Sequence, residues 1–390
     1  SIRHLAWRRG SIPKMAIDRR QFLIGSGAVI AASVPGTAST LQPAVYLSSA
    51  RTAAGRHSAI LFDEDGQVQW QVELPDRGHG GAFRRGTTET VIFARRPGTF
   101  AFVMDRSSGA LRHVMTTPED RHFYGHGTFS ADARLLFTTE NDFVAGRGVV
   151  GVWDAADGYR RVAEFDAGGI GPHDIALMPG GTVLAVANGG ILTLPDSGRH
   201  KLNIADMKPS LVFIDVGDGK RVSSHALPAE LHKLSIRHMA VTASGAIVIA
   251  MQYEGPGEDR VPLVCRYQAG RLHLMTAPDR ITAQMKNYCG SVAVDRSGQT
   301  ACVTAPRGNL STFWSVADGT YLASTGIEDG CGVSAAIADG NFLISSGTGR
   351  LLTANPGSMG RMSKSGGVNL AWDNHIAGQP VPDVPGHRDD

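Results

Sequence analysis

Histidines recur along the sequence at a fixed spacing and in similar local contexts. His79 in RGHGGAF, His126 in GHGTFS and His173 in GPHDIAL lie 47 residues apart and then 47 again. Neutral imidazole is the commonest metal ligand among side chains, so histidines projected from separate repeats could share one transition-metal ion. Repeat proteins also keep buried histidines that only tie neighbouring strands together. The spacing therefore predicts either a metal-binding ring or a structural one.

The series continues with His238, Cys289, Cys331 and His375, at intervals of 65, 51, 42 and 44 residues. The long interval contains a segment rich in turn residues, 189–209, and subtracting its excess of about 18 residues restores a period near 47. We interpret 189–209 as an insertion into one repeat that acts as a lid. His238 and His375 thus complete the set of predicted metal ligands.

The segments between these markers must position them. After residue 40 the chain consists of short runs rich in Val, Ile, Leu, Phe and Thr, divided by Gly, Asp, Pro and Ser, with almost no amphipathic helix pattern. A period of about 40–50 residues with four strands per unit is typical of propeller blades. The sequence predicts an all-β fold in which residues 39–390 form a single seven-bladed β-propeller with four antiparallel strands per blade. The segment around His375 would supply either the inner strand of the first blade or the outer strand of the last.

In such a blade the start of the innermost strand and the end of the second strand lie on the same face. The markers and the residues about 14 positions after them should therefore surround one mouth of the channel. The predicted ligand-binding residues there are Arg96, Asn141, Asn188, Arg237, Gln252 and Arg307, and Glu140 is the candidate general base. The arginines would hold an anionic ligand or would be ordinary solvated charges.

Four cysteines add a further candidate. Cys289 and Cys331 begin neighbouring inner strands and are the best pair for a disulfide or for thiolate ligands, whereas Cys265 and Cys302 read as buried free thiols. His122 is assigned, with His225 and His232, to outer strands or loops. The sequence lacks the serine-hydrolase elbow, the zincin and P-loop motifs and the haem-attachment motif, and its glycine runs do not fit a Rossmann fingerprint.

The first 38 residues have the pattern of an export signal. Arg19 and Arg20 precede an apolar stretch, 22–34, that is too short to span a bilayer, and small residues follow at 36–38. We expect 1–38 to be a twin-arginine signal region, with 1–14 upstream of a true start at Met15. The mature protein would then be periplasmic, and no later apolar run of 18 or more residues predicts a membrane span.

Charge argues against nucleic acid as a partner. The chain carries 38 Lys plus Arg and 36 Asp plus Glu, but residues 1–38 hold six of the cations and one of the acids. The remainder therefore has 32 cations and 35 acids, a net charge of −3. A protein that neutralises phosphates needs a basic stripe on its folded part, and none is visible.

A family resemblance rests on motifs spread over residues 44–378: RGH, FYGHGTFS, GIGPHDIALMPGG, VANGGI, GRHKLN, PSLVFID, LSIRHMAV, APRG, GCGV and WDNH. In this order, behind a twin-arginine leader, they resemble the bacterial domain-of-unknown-function family 1513. The resemblance implies a seven-bladed propeller similar in shape to the β chain of quinoprotein amine dehydrogenase. It also implies imelysin-type lipoproteins and a dihaem protein as periplasmic partners in iron acquisition. The chemistry of the dehydrogenase does not transfer, because its quinone lies on another subunit.

Three functions follow from this pattern. The first is a binding protein that holds iron, another transition metal or its chelate at the histidine-lined mouth. The second is a metal-dependent oxidoreductase or a lactonase-like hydrolase, with Glu140 as base and His173 or His238 polarising the substrate. A calcium-dependent hydrolase is disfavoured because the predicted mouth is richer in nitrogen than in oxygen ligands. The third is an assembly scaffold in which the channel residues are structural.

Overall fold

The computed structural model describes residues 45–198, 200–364 and 370–379. The predicted signal region, 1–38, and the predicted start at Met15 lie outside the described residues and stay predictions. Within the described ranges the chain forms seven sheets of four antiparallel strands each. The prediction of an all-β, seven-bladed propeller is confirmed.

The innermost strands contact one another in a closed circle, so each blade extends outward from a common axis. Consecutive strands of the chain are neighbours within each blade, except in blade one, where the last strand lies beside the first. From the innermost to the outermost strand, the blades are: blade one, β28 Leu370–Gly378, β1 Val45–Thr52, β2 His57–Asp63, β3 Val68–Glu73; blade two, β4 Gly78–Phe83, β5 Glu89–Ala94, β6 Phe100–Asp105, β7 Leu111–Thr116; blade three, β8 Arg121–Phe129, β9 Leu135–Asp142, β10 Arg147–Asp154, β11 Arg160–Asp166; blade four, β12 Pro172–Leu177, β13 Val183–Asn188, β14 Ser210–Asp215, β15 Arg221–His225; blade five, β16 Leu234–Val241, β17 Ile247–Tyr253, β18 Val264–Gln268, β19 Arg271–Met275; blade six, β20 Ser291–Val294, β21 Thr300–Ala305, β22 Leu310–Ser315, β23 Tyr321–Gly326; blade seven, β24 Gly330–Ala335, β25 Phe342–Ser346, β26 Arg350–Asn355, β27 Ser358–Lys364.

The two ends of the described chain meet in blade one. Strand β28 pairs with β1 and contacts the innermost strands on both sides, β24 and β4. The sequence left two positions for the segment around His375, and in the structure it forms the inner strand of the first blade. This arrangement closes the ring through hydrogen bonds between the first and last described strands.

Sequence pattern explains which strands are buried. The second and third strands of a blade are packed between neighbouring blades, and β9 and β10, for example, are buried almost throughout. Outer strands keep one face in solvent, so β11 alternates exposed and half-buried residues in the sequence RRVAEFD. Apolar clusters fill the spaces between blades, with the largest joining blades four, five and six. The rigid blades hold the inner strands at fixed positions around the axis.

Helical segments are short in the described residues. One α-helix, α1 Asp279–Gln284, connects blades five and six, and 3-10 turns occur at Pro195–Ser197, Ile204–Asp206, Ala229–Leu231 and Pro306–Gly308. The first two of these turns lie in the segment 189–209, between β13 and β14. None of the described helices has the length and apolar character needed to cross a membrane.

Candidate metal centre

Five histidines sit on innermost strands at points where pairing with the second strand is interrupted. In blade two the register of β4 on β5 shifts between Gly78 and Gly81, on either side of His79. Such a β-bulge re-aims the side chain of the extra residue. Equivalent shifts occur at or beside His126, His173, His238 and His375. In blades two, three and four the interruption contains the histidine itself, whereas in blade five the unpaired residue is Arg237 and His238 follows it.

The five imidazoles form one compact group, which we call the histidine ring: His79, His126, His173, His238 and His375. Their ring centroids lie 4.4–6.4 Å apart in the pairs that touch. Their exposed fractions run from 3% to 11%. Spacing in the sequence therefore predicted a real spatial cluster, contributed by blades one to five.

Two glycines allow the first two imidazoles to come this close. Gly125 has φ +104°, and a Cβ there would lie 2.6 Å from Cδ2 of His79. At Gly80 a Cβ would lie 2.6 Å from the carbonyl oxygen of Gly125 and 2.9 Å from Nδ1 of His126. Any side chain at either position would push the neighbouring inner strands apart. The GHG pattern around His79 and His126 is thus a packing requirement of the ring.

Three members of the ring have an outer partner on Nδ1. His79 Nδ1 lies 3.3 Å from Oδ1 of Asp373, which also pairs with Arg77. His126 Nδ1 lies 3.3 Å from Oδ1 of Asp174, and His375 Nδ1 lies 3.3 Å from Oγ of Ser291. A carboxylate partner accepts from Nδ1–H, so Asp373 and Asp174 leave Nε2 of His79 and His126 as the lone-pair donor, whereas the Ser291 hydroxyl can donate to Nδ1 of His375 or accept from it.

Buried ring nitrogens remain without a protein partner. They are Nε2 of His126, Nε2 of His375, Nδ1 of His173 and Nδ1 of His238. Buried polar atoms in folded proteins almost always have a partner, so four such atoms in one cluster need a ligand or ordered water. A purely structural ring would direct these nitrogens at backbone groups instead.

Two groups of three histidines converge closely enough to hold an ion. His79, His126 and His375 offer ligand atoms that all lie within 4.8 Å of one another, and so do His126, His173 and His238. Nitrogens around one ion with bonds of about 2.1 Å are about 3.4 Å apart, so binding would shorten the longest separation by only about 1.4 Å. Rotation of the side chains can supply that movement. His126 belongs to both groups.

Burial keeps the ring neutral at neutral pH. It lowers the pKa of His79 from 6.5 to about 3, although the Asp373 hydrogen bond opposes the shift. Burial also lowers the pKa of the other four. Neighbouring imidazoles and the charge of Arg95 or Arg237 add to this effect in His173, His238 and His375, whereas the charge of Asp174 opposes it in His126. Deprotonated imidazole is the form that binds metal, so the ring is ready to bind without losing protons.

The predicted arginines lie at different distances from the ring. Arg237 is 7% exposed and its Nη2 lies 3.4 Å from Oε1 of Glu254, which also pairs with Lys201 of the insertion. The charge of Arg96 reaches His122 and Tyr124, where it affects their pKa values. Arg307 instead stacks over the ring of Tyr288 at 4.2 Å. The structure therefore brings Arg237 to the ring and Arg96 to its neighbourhood.

The predicted amide ligands hold the mouth together. Asn141 Nδ2 donates to Nε2 of His122 at 3.0 Å and to the carbonyl of Thr193 at 3.1 Å. Asn188 Nδ2 donates to the carbonyl of Ala167, and Gln252 Nε2 donates to the carbonyl of Cys289. Oδ1 of Asn141 and of Asn188 are buried without a partner. The amide groups are thus mainly structural, with two acceptors left over.

Glu140 does not stand at the mouth as a general base. Its carboxylate is fully buried inside blade three, where it accepts from Arg161 Nη1 at 2.7 Å and from Thr138 Oγ1 at 2.7 Å. Burial raises the pKa of Glu140, and the Arg161 guanidinium opposes that rise. The prediction places Glu140 at the mouth, but its carboxylate lies on the face of the sheet over Gly151 of β10 and pairs with Arg161 on the outer strand β11. The catalytic hypothesis loses its base.

Replacing this carboxylate tests the structural assignment. We expect Glu140→Gln to lower the free energy of unfolding by about 1.5–3 kcal/mol, because a charged hydrogen bond to Arg161 is lost in a buried site. Metal affinity should be unchanged. Urea unfolding and metal titration measure the two effects, with Glu73→Gln in the exposed pair with Arg56 as the control. An unchanged stability with lost metal binding would return Glu140 to the functional site.

Three further sequence predictions are corrected. Cys289 and Cys331 are free thiols, so they form no disulfide, and burial raises the pKa of Cys289 to about 12 and that of Cys331 further. Such thiols are protonated and are poor metal ligands. His122 was assigned to an outer strand or loop but lies on inner strand β8, where Nδ1 donates to the Phe123 carbonyl at 2.9 Å. The expected free, buried state of Cys265 and Cys302 is confirmed.

Sequence reasoning missed the outer partners of the ring. Asp373 precedes His375 by two residues in WDNH, and Asp174 directly follows His173 in PHD. The sequence signal for these partners is an acidic residue next to, or two residues from, a repeated histidine. Asp174, however, serves His126 of the neighbouring blade, and Asp373 serves His79. That exchange between blades cannot be read from a single repeat.

Comparisons with known proteins give a family and a fold for this chain but no chemical activity. Residues 72–379 match the model of a family described as "Protein of unknown function (DUF1513)". No curated protein matches the chain. Among solved structures, Kuenenia stuttgartiensis hydrazine synthase is similar with a TM-score of 0.60 at 12% identity, over 83% of this chain and 99% of that chain. At this identity the likeness shows the propeller fold alone.

Proposed function

The chain belongs to the DUF1513 family of proteins of unknown function, and from its own site we propose that it is a binding protein for one transition-metal ion. One observation carries the proposal: imidazole nitrogens converge in two groups of three, each within 4.8 Å, in a cluster where four buried ring nitrogens have no protein partner. Metal binding by imidazoles that project inward from separate blades requires no catalytic base. The prediction of metal binding at the ring thus becomes a proposal with named donor atoms.

The donor set limits the kind of ion. Neutral imidazoles suit iron, copper, zinc and nickel, whereas calcium and magnesium take oxygen ligands. We propose iron first, because imidazole suits iron(II) and because the family resemblance implies a part in iron acquisition. In this proposal the protein is exported by the twin-arginine region to the periplasm, where imelysin-type or dihaem proteins would exchange the metal with it.

The ring is expected to hold one ion at a time. Both groups of three depend on His126, and its Nδ1 faces Asp174, which leaves Nε2 as the single free nitrogen. One lone pair cannot bind two ions. An ion can therefore sit with His79 and His375 or with His173 and His238, and can pass between these positions while His126 stays bound.

Elemental analysis of the protein purified from the periplasm of its native host tests the proposal. We expect about one equivalent of iron or another transition metal, fixed by the single free nitrogen of His126. Metal-free protein should regain one equivalent from Fe²⁺, Co²⁺ or Zn²⁺ under anaerobic conditions. Protein that is isolated without metal and takes up none of these ions at micromolar concentration would overturn the function.

The outer partner of His79 gives a finer prediction. We expect Asp373→Asn to weaken metal affinity by about 10–100-fold, because outer carboxylates orient a ligating imidazole and raise its basicity. The fold should remain, since Arg77, the other partner of Asp373, is 35% exposed and can be hydrated. Competition with a coloured chelator measures the affinity, and the exposed Asp157→Asn is the matched control. Equal affinities in the two variants would contradict an outer role for Asp373.

A further inference from the structure

A second group of buried polar atoms without partners lies beside the histidine ring. It consists of Tyr124 Oη, Thr193 Oγ1 and Arg237 Nε. These side chains come from inner strand β8, the insertion 189–209 and inner strand β16. Their residues are 4%, 3% and 7% exposed, respectively. All three atoms can donate a hydrogen bond, so the group is matched to an acceptor.

The three residues are neighbours of the ring as well as of each other. Tyr124 and Arg237 precede His126 and His238 by two residues and one residue. The ring centroid of Tyr124 lies 5.3 Å from that of His122, and Asn141 Nδ2 donates both to His122 Nε2 and to the carbonyl of Thr193. The Thr193 hydroxyl and the Arg237 charge also counteract the rise that burial causes in the pKa of Tyr124. Thr193 is thus beside the phenol, although neither hydroxyl makes a hydrogen bond of normal geometry with a protein group.

Positive charge dominates this side of the ring. Arg95, Arg96 and Arg237 all act electrostatically on ring histidines or on their inner-strand neighbours. One carboxylate, Glu254, lies 3.4 Å from Arg237 and is shared with Lys201. The other carboxylates at the ring, Asp174 and Asp373, lie against Nδ1 of His126 and His79, and Asp373 also pairs with Arg77. The four arginines and Lys201 outnumber these three acids, in a protein whose remainder after residue 38 has more acids than bases.

A bound metal would increase the excess of positive charge. The ring provides only neutral ligands, so a divalent ion would enter a buried site without an anionic ligand in contact with it. Burying charge without a counter-charge is costly. An anion beside the ion would supply that counter-charge and fill coordination positions that three imidazoles leave open.

We propose that Tyr124, Thr193 and Arg237 form a site for a small oxyanion of the carboxylate, carbonate or phosphate class, bound together with the metal. This inference rests on the proposed metal-binding function. The phenol, the hydroxyl and the guanidinium donate to oxygen atoms of the anion, and another of its oxygens faces the ion. The anion arrives either free or as the anionic part of a metal chelate.

The effect of anions on Co²⁺ affinity tests the inference. In chloride buffers of equal ionic strength, bicarbonate, phosphate or citrate should raise Co²⁺ affinity by about 5–150-fold, the usual range of coupling between two sites. Bound Co²⁺ must raise anion affinity by the same factor, which a reverse titration checks. A larger effect of citrate than of bicarbonate would assign the anion to a chelate, and the reverse would assign it to a free ion.

The double variant Tyr124→Phe with Thr193→Val removes the two hydroxyls and keeps their shape. We expect anions to change its Co²⁺ affinity by less than about twofold, well below the range for coupled sites. Its metal-free thermal midpoint should equal or exceed that of the parent, because the hydroxyls lost have no protein partner. Thr325→Val removes an unpartnered buried hydroxyl from outer strand β23 and is the matched control.

The outcomes separate this inference from the proposed function. Co²⁺ affinity that is independent of anions in the parent, or equally dependent in the double variant, overturns the oxyanion site and leaves the metal function standing. If Co²⁺ binds under no condition, the metal function fails. The metal-free thermal midpoint then decides: an anion-specific rise in the parent alone supports the site, and no rise overturns it.

Discussion

Replacing His126 by alanine is expected to reduce transition-metal affinity by more than about 100-fold, beyond the ~10–100-fold that the loss of an outer partner produces. His126 is shared by both groups of three histidines, so its loss leaves two ligands in each. His375→Ala and His238→Ala should each have a smaller effect, because each leaves one complete group. Titration with Co²⁺, followed by its visible absorption, measures both affinity and coordination geometry.

The relative affinities of these variants distinguish a shared His126 ligand from a single fixed site. His232→Ala is the control, since His232 lies outside the blades and its Nδ1 contacts only the carbonyl of Ala229 among the described residues. Adding His173→Ala to His126→Ala should remove the remaining binding. If the three single ring variants lose affinity equally, one fixed ion is bound by all of them. If the double variant binds like the parent, the ring is structural.

The period of the sequence was sufficient to predict the fold and most of the ring. Repeats of about 47 residues correspond to blades, and equal positions in blades must face the same axis. His79, His126 and His173 therefore converge. Blades six and seven carry Cys289 and Cys331 at the same positions, and these thiols stay protonated and bonded to backbone carbonyls.

The side chains beyond the ring could not be predicted because their direction depends on contacts between strands. Glu140 was placed at the mouth from its distance along β9, but residues of a strand alternate between two faces, and Arg161 on β11 lies on the face that Glu140 takes. Tyr124 lies inside the bulge between Phe123 and Gly127, where the alternation of side chains between the two faces is interrupted. The repeat period alone does not determine which face of a strand these side chains occupy.

Loss of stability in mild acid is the second large effect we expect. In the unfolded chain the five ring histidines bind protons near the ordinary pKa of 6.5, whereas in the fold their pKa values are lowered, that of His79 to about 3. Below pH 6.5 the unfolded state therefore holds more protons, and stability falls as the pH falls. The loss begins near pH 6.5 and continues towards the lowered pKa values.

The size of this loss of stability depends on the number of buried neutral histidines. Each fully neutral buried histidine contributes about 1.4 kcal/mol per pH unit below 6.5, so five contribute up to about 7 kcal/mol per unit. Asp174, Glu140 and Asp329, whose pKa values burial raises, oppose the trend, whereas His122, whose pKa burial lowers to about 4, adds to it. A domain stable by about 5–15 kcal/mol is thus expected to unfold within one to two pH units.

Urea unfolding of the metal-free protein between pH 5 and 8 measures this slope as protons taken up on unfolding. His238→Gln should reduce the uptake by about one proton. Bound metal should move the loss of stability to lower pH, because an ion on the ring nitrogens competes with protons only in the folded state. An uptake near zero between pH 6 and 5 would mean that the folded ring already holds protons. Protonated imidazoles have no lone pair for a metal, so the acid titration and the His126 variant test the same property of the ring by independent routes.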